Sequence, residues 1–182
     1  RGTFAHEEAE TSQDAAPLLQ TARQQLRKSV RLLENLLLDV SRRLDQSGRA
    51  KGNQSQFTEN QLARLKQQVR GELADALMNQ AVCHPDSSPD RINALQKAKE
   101  ILTSLGAAQH PLKWNSRVQY LACLRLLGEA KLFQERAEQY LEEQPPNDIA
   151  ARIQMQLARQ FLKEANFAQA LKQLNSAQPA GR

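Results

Sequence analysis

The side chains best suited to chemistry in this 182-residue sequence are few and scattered. Cys83 and His84 stand together in the stretch CHPDSSPD, His110 precedes Pro111, His6 lies near the start, and Glu142 and Glu143 are adjacent ahead of Gln144. A zinc site usually draws on two spaced pairs of ligands, and Cys83-His84 has no second pair, so the simpler reading is a helix end followed by a turn. His84 and His110 each precede a proline in a loop, where the sequence shows no rigid neighbour to aim them. Glu142 and Glu143 read as a solvated face near a helix C-terminus. No glycine-rich phosphate loop and no nucleophile motif occurs. The sequence therefore argues against an enzyme, and it calls for no catalytic residue, no metal and no cofactor.

The other chemistry available is cationic. The chain carries a formal net charge of +5, and residues 21–70 hold eleven basic side chains against four acidic ones. Arg42, Arg43, Arg49 and Lys51 cluster near a turn, where a basic patch can meet nucleic acid or anionic headgroups through salt-sensitive contacts. Phe57 is the one aromatic residue at hand there for base stacking and no groove-reading motif is visible, so a solvated basic face is the simpler reading. Cys83 and Cys123 form no C-x-x-C pair and read as free thiols, which favours a reducing compartment such as the cytoplasm without otherwise fixing localisation. The longest apolar run is too short to span a bilayer, and a soluble chain is expected.

Positioning these groups falls to helices. Hydrophobic side chains make up 40% of the chain and aromatic ones 4%, while Leu, Ala, Gln, Arg and Glu dominate, which predicts an all-α fold. Residues 1–14, RGTFAHEEAETSQD, read as a disordered tail. Asp14 can cap a helix to about Leu44, whose apolar residues Leu19, Leu26, Val30, Leu33, Leu37, Val40 and Leu44 form a seam that Leu32 and Leu36 widen. The glycine-containing stretch QSGRAKGNQSQF is a flexible connection. Thr58 to Gln61, TENQ, has the form of a capping box, and Leu62, Leu65, Val69, Leu73 and Leu77 carry a second helix back along the first. After CHPDSSPD, Ser88 and Pro89 open a third helix, which Gly106 is expected to stop. The expected organisation is a long helical hairpin over 15–82 and shorter hairpins over 83–182, in one continuous domain.

Pro111, Pro145 and Pro179 recur 34 residues apart, and at the same offset Arg125 meets Arg159, Leu127 meets Phe161, Phe133 meets Phe167 and Tyr140 meets Leu174. A unit of that length holds two short helices, and one such hairpin cannot cover its own apolar stripe, so neighbours stack. Leu157, Ala158 and Phe161, followed by Ala170, Leu174 and Ala177, fall where the tetratricopeptide repeat family places its large, small and aromatic residues, and the segment 147–179 resembles one such repeat. The preceding unit has Cys123 and Leu124 in the first-helix places and Arg136, with Ala137 beside it, where the family has alanine. Leu73, Ala74 and Leu77, then Ala98 and Leu102, trace a degenerate earlier unit.

The resemblance implies antiparallel hairpins stacked as a short tetratricopeptide-like α-solenoid, with a concave groove lined by the first helices. Carried onto this sequence, the groove positions are Val118, Leu121 and Arg125 in one unit and Arg152, Met155, Arg159, Leu162 and Lys163 in the next. Two arginines there suit an acidic peptide or a C-terminal carboxylate; the simpler alternative is that each pairs with a nearby acid such as Glu129. Trp114 reads as packing on the previous hairpin. The function expected is a non-catalytic scaffold for a protein or peptide partner. An adaptor whose basic hairpin binds nucleic acid or membrane, and an architectural segment that self-associates or docks on further repeats, are the alternatives.

Overall fold

The computed structural model describes residues 2–47, 57–107 and 112–177, with side chains from Pro17 to Gln46 in the first segment. Seven α-helices and no strand occur among the described residues. The chain divides into two compact units, Arg1–Ala94 and Leu95–Arg182, where the sequence reads as one continuous domain.

The first unit is built on α1 (Gly2–Ser47) and α2 (Glu59–Val82). Helix α1 begins well ahead of Asp14, the cap expected from the sequence, and takes in the stretch expected to be a tail. Between Thr3 and Ala16 no glycine or proline interrupts residues rich in Ala and Glu, so nothing local ends the helix there. Thr58 and Gln61 form the reciprocal capping box that the sequence predicts: Gln61 N donates to Thr58 Oγ1 at 3.3 Å, and Thr58 N donates to Gln61 Oε1 at 2.8 Å. Leu62, Val69, Leu73 and Leu77 are buried along α2, with Ala74, Ala76 and Ala81 beside them letting the helices approach closely. Helix α2 lies along α1. The pair is antiparallel, because Arg23 Nε, midway along α1 and 24 residues before its end at Ser47, donates at 2.7 Å to the carbonyl of Cys83, 24 residues after the start of α2 at Glu59.

On α1, Val30 and Val40 are buried, whereas Leu32 and Leu36 are exposed. These two leucines do not widen the seam as the sequence suggests. At 100° per residue they lie to one side of the stripe through Val30, Leu33, Leu37 and Val40, the face to which α2 is matched. Helix α3 (Pro89–Ala107) starts on the predicted proline and holds the boundary between the units. Gly106 sits inside its last turn rather than beyond it. A Cβ there would come within 3.2 Å of Arg117 Cγ, so the glycine makes room for a side chain of the next helix.

The second unit continues with α4 (Lys113–Leu127), α5 (Ala130–Glu142), α6 (Asn147–Lys163) and α7 (Phe167–Ala177). Its core holds Leu95, Leu102, Leu105, Leu121, Cys123, Leu124, Phe133 and Ile153. Helix α4 touches α5 and α6, and α6 touches α5 and α7. The three turns each use a left-handed residue: Gly128 at φ 76°, Gln144 at φ 52° and Ala165 at φ 56°. Ala137 is buried and Arg136 exposed, so the small residue of α5 is the one after the position that the family pattern marks.

Candidate functional site

Helices α4 and α6 run side by side in the same direction. Near their starts Arg152 Nη1 donates to Asn115 Oδ1 at 2.6 Å, and further along Arg125 Nε donates to Gln156 Oε1 at 3.3 Å. On α6, Arg152, Gln156, Arg159 and Lys163 follow steps of four, three and four, which places them on one helical face. That face carries three cations and one buried amide, with Arg125 of α4 joining it from the side.

Among the described residues none of the charges on it is ion-paired. Arg125 is half-buried and bonded to a neutral amide, and no carboxylate lies within 4.0 Å of Arg125 or Arg159 among the described residues. Burial first, and then the positive charge of Arg159, hold the Arg125 guanidinium below its ordinary pKa. Glu129, the acid nearest in sequence, belongs instead to Lys99, whose Nζ lies 2.8 and 2.6 Å from its two carboxylate oxygens. The pairing of Arg125 with Glu129 that the sequence allows is thus not formed.

Of the expected groove residues, Arg125, Arg152, Arg159, Met155 and Lys163 are on or beside this face, with Arg152, Arg159, Met155, Leu162 and Lys163 exposed. Leu121 and Val118 are buried and do not line it. Helix α4 packs against α5 and α6, so Val118 and Leu121 enter the core, while Asn115 and the long Arg125 side chain reach the α6 face. Gln156 and Asn115 were missed by sequence reasoning. The stripe of Arg152 and Arg159 passes through Gln156 and is the signal that could have found it, whereas nothing local marks Asn115.

The neighbouring aromatic cluster is closed. Trp114 has Arg117 at 4.8 Å and Lys113 at 5.1 Å over its ring, and both cations reach Glu143, at 2.6 and 3.3 Å. Its two cations are thus paired with an acid of the same unit, unlike those of the α6 face.

The basic patch of the first unit is placed only in part. Arg42 and Arg43 are exposed, and Arg43 Nε pairs with Asp39 at 3.0 Å; Arg49 and Lys51 lie outside the described residues. His84 lies in the loop after α2, as the sequence suggests, but is buried there, and its Nε2 has no hydrogen-bond partner among the described residues. Desolvation, followed by the charge of Arg23, lowers its pKa below 6.5. Among the described residues no three His, Cys, Asp or Glu side chains gather as a metal site, and no helix is long and apolar enough to cross a membrane.

Comparison with family models, with curated proteins and with solved structures found no match to this chain. The functional reading therefore rests on the geometry of the site.

Proposed function

We propose that the chain is a non-catalytic interaction module, a short tetratricopeptide-like stack that binds an acidic peptide or protein segment across α4 and α6. The observation that carries this reading is that Arg125 bonds the amide of Gln156, one turn from Arg159 on the same face of α6, while neither arginine pairs with a carboxylate among the described residues. Two like charges held near each other at a partly desolvated surface are unfavourable alone and become favourable once an anion bridges them. A guanidinium presents planar paired donors that match a carboxylate, and hydrogen bonds to charged groups contribute about 1.5–3 kcal/mol each. Arg152 and Lys163, about 16 Å apart at 1.5 Å per residue, extend the same charge along α6 for an elongated acidic segment. The parallel course of α4 and α6 and their starts 34 residues apart support the stacked-hairpin reading.

A fluorescent glutamate-rich peptide titrated against the protein and against an Arg125→Ala, Arg159→Ala variant tests the proposal. About a tenfold or greater loss of affinity is expected, since about 1.4 kcal/mol corresponds to a factor of ten. Helicity and melting temperature should be retained, because neither arginine makes an ion pair in the folded chain among the described residues. Equal affinity for both proteins would refute the assignment.

A further inference from the structure

Helix α6 exposes more than charge on the face that carries Arg152, Arg159 and Lys163. Met155 and Leu162 stand beside them, 43% and 48% exposed. At about 100° per residue these two lie about 60–80° to one side of Arg152, whereas Gln156, which Arg125 joins, lies about 40° to the other. The exposed surface is therefore two adjacent rows, one cationic and one apolar. Both rows repeat at seven residues, Arg152 to Arg159 and Met155 to Leu162, which is about 10.5 Å along the axis. Asp148, exposed one turn ahead of Arg152, ends the cationic row with the opposite charge.

Building on the acidic segment proposed above, we infer that the occupant of this face is an acidic amphipathic helix of a different polypeptide. It lies along α6 with carboxylates over Arg152 and Arg159 and with leucine-sized side chains over Met155 and Leu162. A seven-residue repeat is what a second helix can match, since its side chains seven apart return to nearly the same face. A β-strand matches it poorly: about 10.5 Å is three residues of extended chain, and side chains three apart point to opposite faces. A purely acidic sequence would satisfy the arginines and leave Met155 and Leu162 in water, whereas apolar side chains beside the acids bury both. The unbranched thioether of Met155 adapts to whichever apolar side chain arrives. Charge complementarity sets the sign of the occupant, and this chain, at a formal net charge of +5, is a poor source of it.

The probes are two crosslinked helical peptides of identical composition, titrated against the full chain at low and high salt. Both repeat glutamate every seven residues; the first places leucines beside the glutamates and the second places them on the opposite face. The wild type should bind the first at least about tenfold more tightly than the second. That ratio should survive high salt although both affinities fall. A Met155→Gln, Leu162→Gln variant, changed only at exposed positions, should lose the preference and keep its affinity for the second peptide. Equal binding of the two peptides by the wild type, or a preference unchanged in that variant, would overturn the inference. So would undiminished binding of an uncrosslinked first peptide broken by a central proline, which would make the occupant extended. Sedimentation showing that Met155→Gln, Leu162→Gln turns a self-associated chain into a monomer would overturn it too, because the occupant would then be a second copy. If the two peptides bind alike and both lose affinity in the Arg125→Ala, Arg159→Ala variant, the helical occupant fails while the acidic-segment reading stands. If that arginine variant binds both as the wild type does, the acidic-segment reading itself fails.

Discussion

The guanidinium of Arg117 lies 4.5 Å from the ring centroid of Tyr140, with the Trp114 ring 4.8 Å away. The same group reaches Glu143 through Nη1 at 2.6 Å and the Gly106 carbonyl through Nε at 3.2 Å, tying α3, α4 and α5 together. Arg117→Ala removes the cation–π contacts, leaves the Gly106 carbonyl without this donor and leaves Glu143 with Lys113 alone, for an expected cost of about 2–3 kcal/mol. Arg117→Lys recovers only part of this, because an ammonium lacks the planar fork. Thermal melts followed by circular dichroism should show the order wild type, lysine, alanine; an unchanged melting temperature for the alanine variant would contradict it.

Acidification should weaken the first unit through His84. Its folded pKa lies below 6.5 because of burial, then Arg23 and Arg27, with Asp90 opposing them; Arg91, which donates to the His84 carbonyl, adds a further positive charge nearby. The unfolded histidine takes up a proton first as pH falls, so its contribution is intact above about pH 6.5 and declines below it. One group can give a slope of at most about 1.4 kcal/mol per pH unit. Urea midpoints between pH 7.5 and 5 should fall in the wild type and fall less in His84→Gln. Parallel curves would remove His84 from the account.

The two thiols should separate cleanly by reactivity. Both are free, Cys123 buried and Cys83 half-buried. Burial pushes the Cys123 thiol up to about 12, and its Sγ donates to the Leu95 carbonyl at 3.2 Å. At pH 8 this leaves roughly a thousandfold less thiolate than an ordinary cysteine has, before access is considered. Alkylation in the native state should therefore modify Cys83 first, and Cys123 only at the rate of opening. Ionisation of the unfolded thiol makes Cys123 a source of instability only as pH rises above about 9. Comparable labelling of both by peptide mass mapping would show that the core around Leu95 is open.

The α6–α7 turn can be improved. Ala165 holds φ at 56°, its N–H donates to the Leu162 carbonyl at 3.1 Å, and Asn166 N donates to the Phe161 carbonyl at 2.8 Å. A left-handed alanine costs about 1–2 kcal/mol, and the greater unfolded freedom of glycine offsets part of that, so Ala165→Gly should stabilise by about 0.5–1 kcal/mol. Gly128→Ala is the reverse case at φ 76°, where nothing lies within 4 Å of the added Cβ, so conformational strain alone should cost about 1 kcal/mol. Denaturant midpoints moving in opposite directions would confirm both, and a destabilised Ala165→Gly would refute the first.

What the sequence by itself determined is local. Thr58 and Gln61 close their own capping box, Pro89 starts α3, and the 34-residue offset between Lys113 and Asn147 sets the starts of α4 and α6. Each of these depends on groups within a turn or two, where hydrogen bonding and φ preference act without help from the rest of the chain. The cationic stripe Arg152-Arg159-Lys163 was legible for the same reason, being a matter of helical period. Only the tertiary structure decided that Leu121 and Val118 go inward, that Leu32 and Leu36 stay out, that Glu129 turns to Lys99 rather than Arg125, and that His84 is buried. Those outcomes depend on which neighbour covers which face. Several leucine rows in this chain satisfy the helical period equally well, and a row becomes core only when another helix of matching shape lies against it.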